Sequence, residues 1–216
     1  MLPDRQRDSV PAPMRVAAII LAGGRSARMG TPKALLDFRG EPFVVRILEA
    51  LEALDLKTRV VVLGPDASQA RLALTKHECL VVENPDVDGG PIASLRCALA
   101  ALEPARPLAV LVWPVDLPHV HVSTVERLIE AYRRGHHAVT VPSFAGLRGH
   151  PVIWDQRLFE ELRTSAVATQ EGARAVLHAH SDDLQQVPVD DPAVTDAINT
   201  PADYERLIRD INRDAY

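Results

Sequence analysis

"VAAIILAGGRSARMGTPK", residues Val16 to Lys33, joins two stretches of opposite character. Seven uninterrupted apolar residues, Val16 to Ala22, pass directly into a loop that carries Gly23, Gly24 and Gly30 with Arg25, Arg28 and Lys33, and no acid. An apolar run without polar alternation predicts a strand covered on both faces, as in the centre of a parallel sheet. Ligands of such sheets sit beyond the carboxyl ends of the strands. The glycine loop then lies at the rim of the crevice, with its cations on the ligand side.

Outward from this stretch, short apolar runs alternate with helical patterns. Further strands are expected at Arg59–Leu63, Cys79–Val82, Leu108–Trp113, Ala138–Val141, Val152–Trp154 and Leu184–Val189. A helix is expected over Phe43–Leu54, just after Pro42. Ile92, Leu95, Leu99 and Leu102 share one helical face. "STVE", Ser123 to Glu126, has the form of a capping box. "TPAD", Thr200 to Asp203, offers an N-cap threonine, a first-turn proline and an early acid before a last helix that turns Leu207, Ile208 and Ile211 inward. This rhythm predicts a three-layer α/β fold, a mostly parallel sheet with helices on both faces. Residues 15–216 read as one domain and residues 1–14, with three prolines, as a flexible arm.

Composition narrows the function. The 216 residues are 47% hydrophobic but only 4% aromatic, which predicts a largely aliphatic core. A net charge of −5 argues against a nucleic-acid partner, which needs a broad basic face. A local cationic loop in an acidic chain points instead to a small anionic ligand. No apolar run approaches the roughly 18 residues of a membrane span, and the N-terminus lacks the apolar centre of a signal peptide. Cys79 and Cys97 make neither a disulfide framework nor a metal cluster. They read as buried structural thiols in a reduced, cytoplasmic setting.

The loop is neither a G-x-G-x-x-G fingerprint nor a Walker A loop. It nonetheless holds the elements of a phosphate site. Glycines admit backbone N–H groups close to a ligand. Arg25 and Arg28 carry forked donors, and Lys33 a compact charge on a longer stem.

The pattern L-A-G-G-x-S-x-R-M-G-x-x-K resembles the signature of the MobA-like NTP transferases, the family of the molybdenum cofactor cytidylyl- and guanylyltransferases. "NPDVDGGPIASLRCALAAL" (Asn84 to Leu102) is similar to their base-binding strand, loop and helix, and "VDLP" (Val115 to Pro118) to their metal-binding strand end. "GHPVIW" (Gly149 to Trp154) and "QEGARAVL" (Gln170 to Leu177) resemble their acceptor side, and "INTPADY" (Ile198 to Tyr204) their closing motif. The resemblance covers roughly residues 15–210. It implies a Rossmann-like, GT-A-like nucleotidyltransferase fold and transfer of CMP or GMP from CTP or GTP to an acceptor phosphate, with pyrophosphate released.

It also implies roles. Arg28 and Lys33 would stabilise charge on the phosphates, and Asp116 would join them in catalysis. Leu21, Ala22, Gly23, Gly24, Arg25, Ser26, Asn84, Gly90 and Ser94 would bind the nucleotide. The triphosphate brings Mg²⁺, a cation that prefers oxygen ligands, here Asp116 and Asn199. The cytidylyl branch usually has D-x-D-T-P where this chain has Ala197, Ile198 and Asn199, and Asp196 is left without a role. His150 would face the acceptor, molybdopterin in the first instance. A phosphate monoester has a second pKa of about 6, so such an acceptor needs no general base. His136 and His137 sit near a helix end and carry no chemistry. "LAGG" resembles the guanylyl branch, and Gly23 leaves room for a purine. "SLRCAL", "GHPVIW" and "EGARAVL" resemble the cytidylyl branch and tip the reading towards CTP. Other readings are a transferase for a sugar phosphate or methylerythritol phosphate, a non-catalytic nucleotide-binding module, and a nicotinamide-dependent oxidoreductase.

Overall fold

The computed structural model describes residues 15–65 and 67–214; the arm expected over residues 1–14 lies outside them. Strand β1 (Val16–Ala22) is the centre of the molecule. Its side chains alternate between two cores: Val16, Ala18 and Ile20 pack on one face, Ala17 and Ile19 on the other. Successive strand residues point to opposite faces, so only a run apolar at every position can be buried on both.

After β1 come a short hairpin, β2 (Asp37–Phe38) and β3 (Glu41–Pro42), then α1 (Phe43–Ala53), β4 (Arg59–Leu63), α2 (Ser68–Ala73) and β5 (Leu80–Glu83). Helix α3 (Gly90–Ala101) leads back to β6 (Ala109–Pro114) on the other side of β1. Then follow α4 (Val122–Gly135), β7 (Val139–Phe144), β8 (Leu147–Arg148) and β9 (Val152–Asp155). Three short helices, α5 (Phe159–Thr164), α6 (Ala166–Glu171) and α7 (Ala173–Ala179), precede β10 (Leu184–Pro188) and the closing α8 (Pro201–Asp214).

The main sheet runs β10-β7-β9-β6-β1-β4-β5, with β8 paired to β7. Strands β5, β4, β1 and β6 are mutually parallel, as are β7 and β10, while β9 is antiparallel to both β6 and β7. Helices α1, α4 and α8 cover one face, and α3 and α5 to α7 the other. This is the three-layer, mostly parallel architecture expected. The chain runs outward from β1 through β4 to β5 and then returns across it to β6. That reversal opens a crevice at the carboxyl ends of β1 and β6, where open α/β sheets bind ligands.

Each of the seven expected strands is present within a few residues of its expected bounds. The two-residue turns Arg39-Gly40 and Ala145-Gly146, all at positive φ, close the hairpins β2–β3 and β7–β8 that the periodicity did not reveal. The box expected at Ser123–Glu126 does not form. Helix α4 starts one residue earlier, and buried Asp191, far along the chain, accepts the amide of His121 (2.9 Å) and the Thr124 hydroxyl (2.7 Å). The cap expected at Thr200 does form, as a reciprocal box with Asp203. The Asp203 carboxylate accepts the Thr200 amide (2.8 Å) and the Asn199 amide (3.1 Å), while the Thr200 hydroxyl accepts the Asp203 amide. These bonds pull the Asp203 pKa down to about 2. Cys79 and Cys97 are half-buried rather than buried, and that burial raises both thiol pKa values, leaving them poor nucleophiles.

Candidate active site

Strands β1 and β6 end side by side. Leu21 pairs with Pro114, and the Val115 amide donates to the Leu21 carbonyl at 3.0 Å. The next residue, Asp116, therefore emerges at the rim beside the glycine loop. A second backbone bond, from the Ile198 amide to the Asp116 carbonyl (2.9 Å), brings in the segment before α8. Asn199 is thus fixed next to Asp116 although 83 residues separate them in sequence. Lys33 completes the group. Its Nζ donates to Asp116 Oδ2 at 3.2 Å and to Asn199 Oδ1 at 2.8 Å. The Lys33 side chain is only 15% exposed.

The loop that carries Lys33 is held by its own residues. The Ser26 carbonyl accepts the Met29 amide (2.9 Å), and the Ser26 hydroxyl accepts the Lys33 amide (3.0 Å). Ser26 thus organises the loop and sits at its inner edge. Gly30 has φ +69°, a conformation that suits glycine. The two arginines separate. Arg25 is exposed and paired across the mouth of the cleft with Asp88 at 2.7 Å. Arg28 is exposed on the cleft wall and, among the described residues, pairs with no acid.

These groups border one cleft of about 1240 Å³. Leu21 to Ser26, Arg28 and Lys33 line it, as do Gly90 and Ser94 at the start of α3, and Asp116, His150 and Asn199. Pockets for one drug-sized ligand run to about 1,000 Å³, so the cleft is larger than a single such ligand needs.

The model of the MobA-like NTP transferase domain matches residues 18–184. The chain belongs to the MobA-like NTP transferase family. Among its relatives, the molybdenum cofactor guanylyltransferase of Pseudomonas fluorescens is 33% identical over 59% of this chain and 60% of its own length. The nicotine blue oxidoreductase of Paenarthrobacter nicotinovorans is 28% identical over 89% of this chain and 96% of its own length. Another curated relative is matched over only 28% of its length. The crystal structure of Rv0371c from Mycobacterium tuberculosis H37Rv superposes with a TM-score of 0.77 and 30% identity, covering 91% of this chain and 98% of that one. Rv0371c has also been solved in complex with manganese.

The family match ends before Asn199, and it is the backbone bond from Ile198 that sets Asn199 beside Asp116. The oxygens of Asp116 and Asn199 converge on a cation, the Lys33 ammonium, which tests the donor set directly. One carboxylate and one amide oxygen suit a hard divalent cation that keeps water or phosphate oxygens at its other positions. Among the described residues, no group of three or more His, Cys, Asp and Glu could hold a metal. A metal held there would take few of its ligands from the protein.

Asn84 departs from its expected role. It is 1% exposed and does not line the cleft. Its amide nitrogen donates to the Asp86 carbonyl (2.9 Å) and the Ser94 hydroxyl (3.0 Å), and its oxygen accepts the Asp86 amide (3.0 Å). In the MobA-like frame it shapes the loop between β5 and α3 from behind. Gly23 lines the cleft, but its missing Cβ does not make the room for a purine that the sequence suggested. A Cβ there would stand 2.8 Å from Ser94 Oγ, directed at that buried network rather than at an open space for a base. Gly23→Ala is expected to displace Ser94 and lose the Asn84 bond, about 1 kcal/mol, with no direct crowding of a purine. Chemical denaturation and the CTP-to-GTP ratio of kcat/KM check this. A strong shift of that ratio at unchanged stability would restore a direct steric role.

His150 stands on the opposite wall, before β9, as expected. Its amide donates to the Val194 carbonyl at 2.9 Å. Its ring is accessible from the cleft, yet the surrounding protein pushes its pKa below the ordinary imidazole value, with the Asp116 charge opposing. Uncharged, the ring can donate one hydrogen bond and accept another. Its position depends on Gly149, where a Cβ would fall 2.3 Å from the Val194 carbonyl oxygen. A backbone atom cannot rotate away. Gly149→Ala should cost about 1–3 kcal/mol, read as a lower denaturation midpoint, and an unchanged midpoint would contradict this packing.

The three residues given no role in the sequence, Asp196, His136 and His137, are held in structural contacts. Asp196 pairs with Arg206 at 2.6 Å, away from Lys33. His137 bonds Asp183 at 2.9 Å, and His136 ends α4 at positive φ. Sequence reasoning missed Gly64, Pro65 and Gln69 on the β4 side of the cleft, whereas Leu117, Trp154 and Ala173 line it from stretches that the resemblance had marked. The carboxyl-end rule, applied to β4 as it was to β1, would have marked Gly64 and Pro65. No described helix is long and apolar enough to cross a membrane.

Proposed function

We propose that this chain transfers a nucleotidyl group from CTP or GTP to the phosphate of a small acceptor, molybdopterin being the first choice, and releases pyrophosphate. One observation carries the reading. A lysine ammonium, a carboxylate and an amide oxygen meet at the carboxyl ends of β1 and β6, in a cleft larger than one drug-sized ligand needs. In the reaction an acceptor phosphate oxygen bonds the α-phosphorus while the bond to the pyrophosphate oxygen breaks. Both events place negative charge on oxygens at the rim, so positioning and cations are the main catalytic needs. Asp116 and Asn199 would hold Mg²⁺, which when bound neutralises phosphate charge. Lys33 and Arg28 supply cations beside the glycine loop, and Gly23 and Gly24 let the backbone approach the phosphates. Neutral His150 orients the acceptor, which needs no base.

The helix and acceptor-side stretches favour CTP. The opposing argument from Gly23 weakens because its missing Cβ faces Ser94. A second reading, reduction with a nicotinamide dinucleotide in the same cleft, draws on the full-length likeness to an oxidoreductase. The glycine spacing and Gly64, where a ribose-binding acid would end the second long strand, speak against it.

The test is pyrophosphate release with each of the four NTPs, Mg²⁺ or Mn²⁺, and molybdopterin, methylerythritol phosphate or sugar phosphates. NAD(P)H oxidation is followed in parallel. Release that needs both an NTP and an acceptor supports the proposal. Dinucleotide oxidation with no pyrophosphate from any pair would overturn it.

A further inference from the structure

The position of the Lys33 ammonium implies more than a phosphate contact. We propose that Lys33 is the resident counter-ion of the cation site, so that its ammonium and a divalent cation exclude one another and metal enters by ejecting Lys33 onto the nucleotide phosphates. The inference rests on the reading of Asp116 and Asn199 as metal ligands.

The ammonium lies 3.2 Å from Asp116 Oδ2 and 2.8 Å from Asn199 Oδ1, where a cation shared by those oxygens would stand. The Lys33 side chain is 15% exposed and that of Asp116 24%, so water screens them only in part. Two cations cannot share that space, because like charges a few ångströms apart in a cleft repel strongly. The Lys33 backbone is pinned by the Ser26 hydroxyl, and its four-carbon stem is flexible. The ammonium can therefore leave without moving the loop, and phosphates over the glycine loop give it a place to go. Metal and nucleotide then favour each other's binding, and such coupling is reciprocal. Metal alone, with no phosphate to receive Lys33, binds weakly.

The experiment uses Mn²⁺ alone, without nucleotide or acceptor, followed by the electron paramagnetic resonance of free Mn²⁺. Lys33→Met and Lys33→Gln remove the competing charge, and circular dichroism checks that each folds. Both should bind Mn²⁺ roughly 10- to 100-fold more tightly than wild type, the range set by losing a charged hydrogen bond. Adding Asp116→Asn should abolish the gain. Unchanged or weaker affinity in both variants would overturn the proposal, as would a gain that survives Asp116→Asn.

A second measurement needs no Lys33 variant. Acetylation of the Lys33 amine in wild type, read by mass spectrometry, should rise on saturation with Mn²⁺ and stay constant in Asp116→Asn. Equal labelling with and without Mn²⁺ would also overturn the proposal. Because nothing is turned over, a Mn²⁺ gain in a chain inactive with every NTP would leave this inference standing and sink the transferase reading. Unchanged Mn²⁺ affinity in an active transferase would do the reverse.

Discussion

Asp116→Asn should lower metal-dependent pyrophosphate release by about 10³-fold. The amide keeps the shape of the carboxylate but loses the charge that a divalent cation requires. The fold should survive, because the backbone holds this corner. The amides of Val115 and Ile198 still bond the carbonyls of Leu21 and Asp116. The Lys33 ammonium keeps its 2.8 Å bond to Asn199. The loss should therefore appear in kcat with little change in melting temperature. Turnover within tenfold of wild type would remove Asp116 from the mechanism, and a collapsed melting curve would make it a structural residue.

Lys33→Ala should lower kcat by about 10²–10³-fold with a smaller effect on KM. The asymmetry follows from where the ammonium acts. A cation that meets charge built up as the α-phosphorus bond breaks stabilises the transition state more than the bound substrate. Arg28→Ala should change kcat in the same direction but less, because Arg28 is exposed and better screened. Steady-state kinetics at saturating metal separates the two. A pure KM effect in Lys33→Ala would make it a ground-state phosphate binder.

Much of the fold could be read from single stretches. Val16–Ala22 is apolar at every position, and only burial on both faces of a sheet explains that. Arg59–Leu63 and the strand ending at Pro114 obey the same rule, which orders the central parallel strands. The hairpins at Arg39-Gly40 and Ala145-Gly146 stayed hidden because strands of two residues have no period to detect. The start of α4 was misread for another reason. Its amides are satisfied by Asp191, which no local pattern could connect to His121 and Thr124.

The site divides along the same line. From sequence, a strand followed by glycines and cations put a cationic loop at the rim of the cleft, and one acid after another apolar strand put Asp116 there. Both are local consequences of chain geometry. The amino-acid order could not decide which loop cation meets that acid, that Arg25 turns instead to Asp88, or that Asn84 is sealed behind the wall. Nor could it show that Gly23 makes room for Ser94; it named Asn199 only through the closing motif, without the backbone bond that sets it beside Asp116. Those outcomes depend on which strand ends lie side by side. β6 returns across β1, and the amide of Ile198 bonds the carbonyl of Asp116. Distances of about 3 Å between residues far apart in sequence are set by sheet order and by the hydrogen bonds that close it, and these exist only once the whole chain has packed.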